Sequence, residues 1–246
     1  MLSGGARRRH VDVVASAVCV AAQGLEPLDS RVTQVTCTRN GHALSPTGEN
    51  ARVPAQNRVT PLGDIVAVEL RGRWMGNRGC LHEGTEVVRH HRGRRWIICE
   101  PDYKGWRAAQ WAPGRYTVLF FHDEAVALAA GHRPCALCRR PAFEEYRRSL
   151  GRPGADALDL QLHDERWEGG RRRVHSLPWT SLPAGAFVLD DTGPALVTAD
   201  ALLPWTTAGY GAARARPTRG TADAITPPSS LRALAAGYQV QGASLA

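Results

Sequence analysis

The sequence predicts an α+β fold: a small zinc-organised sheet with two flanking helices, followed by a smaller mixed α/β segment with a hairpin. Three observations predict it. Short β-branched and aromatic runs at residues 65–70, 96–99 and 116–121 have strand composition. Apolar runs closed by glycine, over residues 124–130 and 141–150, have helix composition and bracket the pair Cys135 and Cys138. Two thiolates three positions apart in a turn can chelate one soft metal ion, which makes the pair half of a tetrahedral zinc site.

Taken in order, residues 1–55 are rich in Gly, Ser, Thr and Asn without a sustained period, and are expected to be a poorly ordered extension. Arg7 to His10 precede an apolar stretch over residues 11–22 that imitates a secretory signal. Asp12 interrupts it, and no later segment approaches the roughly 18 apolar residues that a membrane span requires. Ordered structure is expected from Gln56. After the third strand, Asp123 is an N-cap for the first helix, and Gly131 stands where a helix end takes a left-handed residue. Pro134 fixes the chain before the first thiolate, and Pro141 suits the first turn of the second helix. The run Gly151-Arg152-Pro153-Gly154 breaks that helix and is read as a boundary.

Beyond it, residues 157–163 are expected to be a short helix. Residues 186–189 and 195–198 form a hairpin about an Asp190-Asp191-Thr192-Gly193 turn, and residues 229–236 form a last helix closed by Gly237. The expected domains are thus residues 1–55, a zinc module over 56–150, and a small mixed C-terminal domain over 155–241.

The six cysteines, Cys19, Cys37, Cys80, Cys99, Cys135 and Cys138, are irregularly spaced in a chain of 246 residues. That pattern fits a reducing compartment and metal or catalytic use better than a disulfide framework, so the expected location is cytoplasmic. The expected zinc ligands are His82, Cys99, Cys135 and Cys138, with Cys80 as the substitute for His82. Thioredoxin-type exchange is the competing use of the pair; such a pair opens a helix after a strand, whereas this one follows a helix terminus.

The formal net charge is +8, and it comes from arginine, since Lys104 is the only lysine. The arginines cluster around the cysteine pair, a distribution suited to phosphate backbones, where neutralisation releases counterions. Candidate nucleic-acid contacts are Arg92, Arg94, Arg95, Arg133, Arg139 and Arg140, with Trp106 and Trp111 as stacking residues. A second cluster holds His163, Glu165 and His175 among arginines, a set capable of acid-base chemistry on a phosphate or carbonyl. The alternative for that cluster is a salt-bridged helix end.

Residues 119–138, Leu-Phe-Phe-His-Asp-Glu-Ala-Val-Ala-Leu-Ala-Ala-Gly-His-Arg-Pro-Cys-Ala-Leu-Cys, resemble the end of the Ada-type zinc-binding domain. There a short helix ends in glycine, followed by Arg-Pro-Cys and a second cysteine. Gly76-Asn77-Arg78 before His82 is similar to the strand that leads to an upstream ligand in Ada-like modules. The likeness covers about residues 74–148. It implies four zinc ligands, contact with DNA, and a link to DNA damage or repair. The family's upstream Cys-x-x-x-Cys pair is absent, so a histidine and a distant cysteine must replace it. Were methyl transfer retained, Cys99 would be the acceptor.

The reading that follows is a nucleic-acid-binding protein, with DNA the expected kind, containing structural zinc and having no membrane partner. The alternatives are a hydrolase or transferase acting on a phosphate-containing substrate through His163, Glu165 and His175, and a zinc-stabilised protein-interaction module.

Overall fold

The computed structural model describes residues 54–242; the signal-like stretch at 11–22 and nearly all of the expected 1–55 extension lie outside the described residues. The fold is mixed, with several sheets and few helices, which fits the α+β expectation.

The chain opens with β1 (Gln56–Val59) and β2 (Ile65–Ala67), an antiparallel pair, followed by β3 (Trp74–Asn77). A separate two-stranded hairpin, β4 (His82–Glu83) and β5 (Glu86–Val87), precedes β6 (Ile97–Cys99) and β7 (Leu119–Phe121). Then come α1 (Glu124–Ala129), β8 (Arg133–Pro134) and α2 (Arg140–Arg148). The six-stranded sheet has the order β2-β1-β7-β3-β6-β8. Within it β8 is an edge strand, the place where Pro134 can sit without depriving the sheet of a donor. Gly76 lies in β3 between two neighbours, and a Cβ there would meet Ile97 O at 2.3 Å and the Phe121 ring at 2.6 Å.

The second half contains α3 (Ala155–Arg166) and a hairpin of β9 (Trp167–Glu168) and β10 (Arg171–Arg172). It continues through β11 (His175–Pro178), β12 (Phe187–Asp190), β13 (Gly193–Val197), β14 (Ala201–Thr206), β15 (Gly209–Tyr210), β16 (Arg214–Ala215) and β17 (Thr221–Ala224) to α4 (Pro228–Ala235). These strands form a seven-stranded sheet ordered β11-β17-β12-β13-β14-β15, with β16 also on β14. The expected hairpin is β12 and β13, with Asp190 opposite Gly193.

Every residue of α1 is buried. A helix that is apolar almost all round belongs in the interior, and its two faces serve two sets of side chains. Ala125, Val126 and Ala129 pack with Phe187, Leu196, Trp205 and Ile225 from the second sheet. Ala127, Leu128 and Ala130 join the larger core that holds Leu119 and Phe121 of the first sheet. That core also holds Leu158, Leu162, Val188 and Leu234, so residues 56–150 and 155–241 share one interior. Residues 151–154 join α2 to α3 inside one packed body, because α4 packs against both helices. Among the described residues no helix is long and apolar enough to cross a membrane.

Candidate metal centre and basic surface

Parallel pairing of β6 with β8 sets Ile98 beside Pro134, so the residues that follow, Cys99 and Cys135, emerge side by side. The Cys135 N–H donates to Ile98 O at 2.9 Å and fixes that level. A turn then carries the chain back to Cys138. All three sulfurs lie within 4.8 Å of one another, the only such group among the described residues. A zinc ion with Zn–S bonds of about 2.3 Å has sulfurs about 3.8 Å apart, so the spacing suits a chelate. The sulfurs are free thiols, as is Cys80.

The surroundings favour a thiolate. The Leu137 N–H donates to Cys135 Sγ at 3.4 Å. The Cys138 and Cys99 thiols, followed by the Leu137 and Cys138 amides, hold the Cys135 thiol far below its ordinary value. Cys99 is driven up, first by its hydrogen bonds to Cys135 and Cys138 and then by burial. Cys138 is raised by Cys135, while the Glu100 amide opposes that shift. Buried Met75 and Val118, with half-buried Tyr116, enclose the sulfurs in apolar surface.

His82 lies outside the group. It opens the separate β4–β5 hairpin, with Nδ1 2.6 Å from Thr117 Oγ1 and the Trp111 ring edge-on at 5.3 Å. Its buried Nε2 has no partner. Cys80 Sγ faces His82 O at 3.9 Å and is also outside the group. The Cys135–Cys138 turn follows β8 and runs directly into α2, so it does open a helix after a short strand. Position along the chain therefore does not separate zinc ligation from redox exchange; the third sulfur adds a donor that a metal ion could use.

Two expected nucleic-acid contacts are corrected. Arg133 is only 2% exposed, and its guanidinium grips Asp159 through two hydrogen bonds of 2.9 and 2.7 Å. Arg139, 3% exposed, pairs with buried Glu124 at 2.7 Å and stacks 3.9 Å from the Trp74 ring centroid. Neither can reach a phosphate. Burying a guanidinium is costly without a counter-charge, and Arg133 and Arg139 each have a buried carboxylate. Glu124 also accepts from Tyr238 Oη at 2.6 Å and from the Gln241 N–H at 2.8 Å.

Arg92, Arg94, Arg95 and Arg140 are exposed. Arg95 lies 3.2 Å from Asp156, and Arg140 lies 3.9 Å from Glu144. Trp106 is 57% exposed, as a stacking residue needs to be, whereas Trp111 is half-buried with φ 57°.

In the second cluster, Glu165 accepts from the Ser229 N–H at 2.8 Å, Ser229 Oγ at 2.7 Å and Gln161 Nε2 at 3.1 Å. Its carboxylate thus caps the first turn of α4. His175 Nε2 sits 2.9 Å from the Glu165 carbonyl, and His163 Nδ1 lies 3.4 Å from Arg166. These contacts make Glu165 and His175 parts of the packing between α3, α4 and β11, while His163 faces His91 and Trp96.

What the charge pattern did not expose is an inward-turned set: buried Arg78, Arg166 and His132 with partly exposed His90 around Trp96, and partly exposed Arg172 beside Arg166. Nothing in a run of arginines marks which of them turn inward. Comparison with protein-family models, curated proteins and solved structures returns no match.

Proposed function

We propose that this chain is a zinc-containing protein that binds nucleic acid, with Cys99, Cys135 and Cys138 as the sulfur ligands. The observation that carries the reading is the convergence of three sulfurs from β6 and the turn between β8 and α2. The donor set fits the ion: soft thiolates, amide N–H groups directed at them, and an apolar enclosure. Zinc takes four ligands, and neither His82 nor Cys80, the fourth donors expected from the sequence, stands within the sulfur group. The ion is structural in this reading and ties two strand ends to a helix start.

Nucleic-acid binding is supported by exposed Arg92, Arg94 and Arg95 on one loop, by Arg140 at the start of α2, and by exposed Trp106. DNA as the ligand, and a link to its damage or repair, rest on the likeness to Ada-type domains. Cytoplasmic residence belongs with the same reading, since free thiols persist in reducing compartments.

Metal analysis and DNA titration test it together. One zinc per chain is expected, and it should be lost in Cys99→Ser. Binding to duplex DNA should weaken with salt, and neutralising Arg92, Arg94 and Arg95 together should reduce the logarithmic slope by about three. A zinc-free wild-type protein, or DNA affinity independent of salt, would overturn the proposal.

A further inference from the structure

Away from the sulfurs, three guanidiniums meet in the interior without a carboxylate. Arg78 and Arg166 are 0% exposed, and each places its guanidinium carbon 4.1 Å from the Trp96 ring centroid. Arg172 is partly exposed and reaches the carbonyls that end α1: Ala130 O at 3.4 Å, and Ala129 O. Arg166 donates to the next carbonyl, Gly131 O, at 2.8 Å. Gly131 makes this convergence possible, because at φ 88° a Cβ would lie 2.4 Å from Arg166 Cδ and 3.1 Å from Arg172 Nη1.

Arg78 comes from the opposite side. Its Nε donates to His132 Nε2 at 3.1 Å and its Nη1 to Gly63 O at 2.8 Å, with His90 Nε2 2.9 Å away. Its Nη2 and Ala130 O both lie beside Gly63, within 4 Å of where a Cβ there would stand.

Carbonyls and aromatic faces supply only partial charge, and three donors stay unmatched: Arg78 Nη2, Arg166 Nε and Arg172 Nε are all buried without a hydrogen-bond partner. The acidic groups nearest this set do not answer it. Asp64 is exposed and accepts from Thr60, and Asp159 is engaged by Arg133. Burying a guanidinium without a counter-charge is strongly unfavourable, and elsewhere in this protein Arg133 and Arg139 each have a buried carboxylate. Arg78, Arg166 and Arg172 have none within ion-pair distance and lie together, with imidazoles beside them; the positive charge excludes a metal cation and selects an anion. Arg172 is the partly exposed member of the set, whereas Arg78 and Arg166 are fully buried.

We propose that Arg78, Arg166 and Arg172 form a binding site for a tetrahedral oxyanion, a phosphate group, at the C-terminal end of α1. The ligand is either free inorganic phosphate or the terminal phosphate of a nucleotide chain. An internal phosphate of a duplex is excluded, because Arg78 and Arg166 are closed to a polymer backbone. The site is independent of the sulfur centre.

The test is calorimetric titration and thermal melting of the full-length protein with inorganic phosphate, at constant ionic strength maintained with chloride. At phosphate about a hundredfold above Kd, the melting temperature should rise by roughly 5–10 °C relative to chloride alone. Parallel titrations with a short oligonucleotide carrying a 5′-phosphate and its 5′-hydroxyl counterpart identify the source. Tighter binding of the phosphorylated form than of inorganic phosphate assigns a nucleic-acid end, and the reverse assigns the free ion. Arg78→Met keeps the length of the side chain against Trp96 and should weaken phosphate at least tenfold. Arg172→Gln, at the partly exposed edge, should do the same if Arg78→Met does not fold. Equal melting temperatures of the wild-type protein in phosphate and chloride, or an undiminished phosphate response in a folded variant, would overturn the site.

Discussion

Replacing Asp159 with alanine isolates the buried ion pair behind the cysteine turn. The side chains of Arg133 and Asp159 are 2% and 5% exposed, and the pair is a two-pronged fork. Without the carboxylate, the guanidinium keeps only Pro134 O at 2.9 Å and the Phe143 ring at 5.0 Å. Breaking a buried pair from one side costs about 3–5 kcal/mol, because the remaining charge is stranded. For a folded body of this size each kcal/mol corresponds to about 2–4 °C, so the melting temperature should fall by about 6–20 °C. Calorimetry of Asp159→Ala, Arg133→Met and the double variant provides the cycle. The double variant should be more stable than the sum of the single losses predicts, by about 1–3 kcal/mol. Arg133→Met should leave the salt dependence of DNA binding unchanged, whereas Arg94→Gln should lower its slope by about one. A melting temperature for Asp159→Ala within about 2 °C of wild type, or strictly additive losses, would refute the structural role given to this pair.

Cys138→Ser should lose bound zinc and melt well below the wild type, and a strong chelator should reproduce the loss; an unaltered melt would remove the structural role of the ion. Burial, reinforced by Arg78, pushes His90 down from 6.5 to about 3, and burial likewise lowers His132, His91, His163 and His175. A folded value below the unfolded one means that their stability contribution is full above pH 6.5 and is lost as pH falls toward 3. Each such histidine contributes a slope of up to about 1.4 kcal/mol per pH unit. Burial raises Asp123 and Asp159, which act in the opposite sense in more acidic solution. The loss is therefore sought between about pH 7 and 5, where a flat stability profile would contradict the burial of neutral imidazoles. Gly76→Ala should cost about 1–3 kcal/mol by overpacking against Ile97 O and Phe121, measured by denaturant titration. Glu165→Ala should lower stability through loss of the α4 cap while leaving zinc content unchanged.

The local signals in the sequence were strong where one residue type performs one backbone task. Asp123 caps α1 by accepting from the Val126 N–H at 2.9 Å, Gly131 is left-handed at φ 88°, and Gly237 ends α4 at φ 95°. The β12–β13 hairpin follows from its turn residues. Domain division was not legible, because a helix as apolar as α1 does not declare that it has two partners. The strand β17 escaped the reading for a related reason: it lies between β11 and β12, and such non-local pairing leaves no period in the chain. At the site, Cys-x-x-Cys spacing and a cysteine ending a strand led to the three sulfurs that converge. Arg133 and Arg139 could not be told from Arg140 in the sequence, since burial depends on Asp159 and Glu124, which are distant from them along the chain.

Glu124 also sets an order of events during synthesis. It is tied to Tyr238 and Gln241, which lie 114 and 117 positions further on. Cys138 leaves the ribosome about 100 residues before those groups, a delay of roughly 5–20 s at ordinary elongation rates. Throughout that interval the partner of Arg139 lacks its tail contacts, and the turn bearing two of the three thiols hangs on an unfinished scaffold. The support behind the cysteine turn is therefore completed only once residues 238–241 have emerged and packed back onto α1.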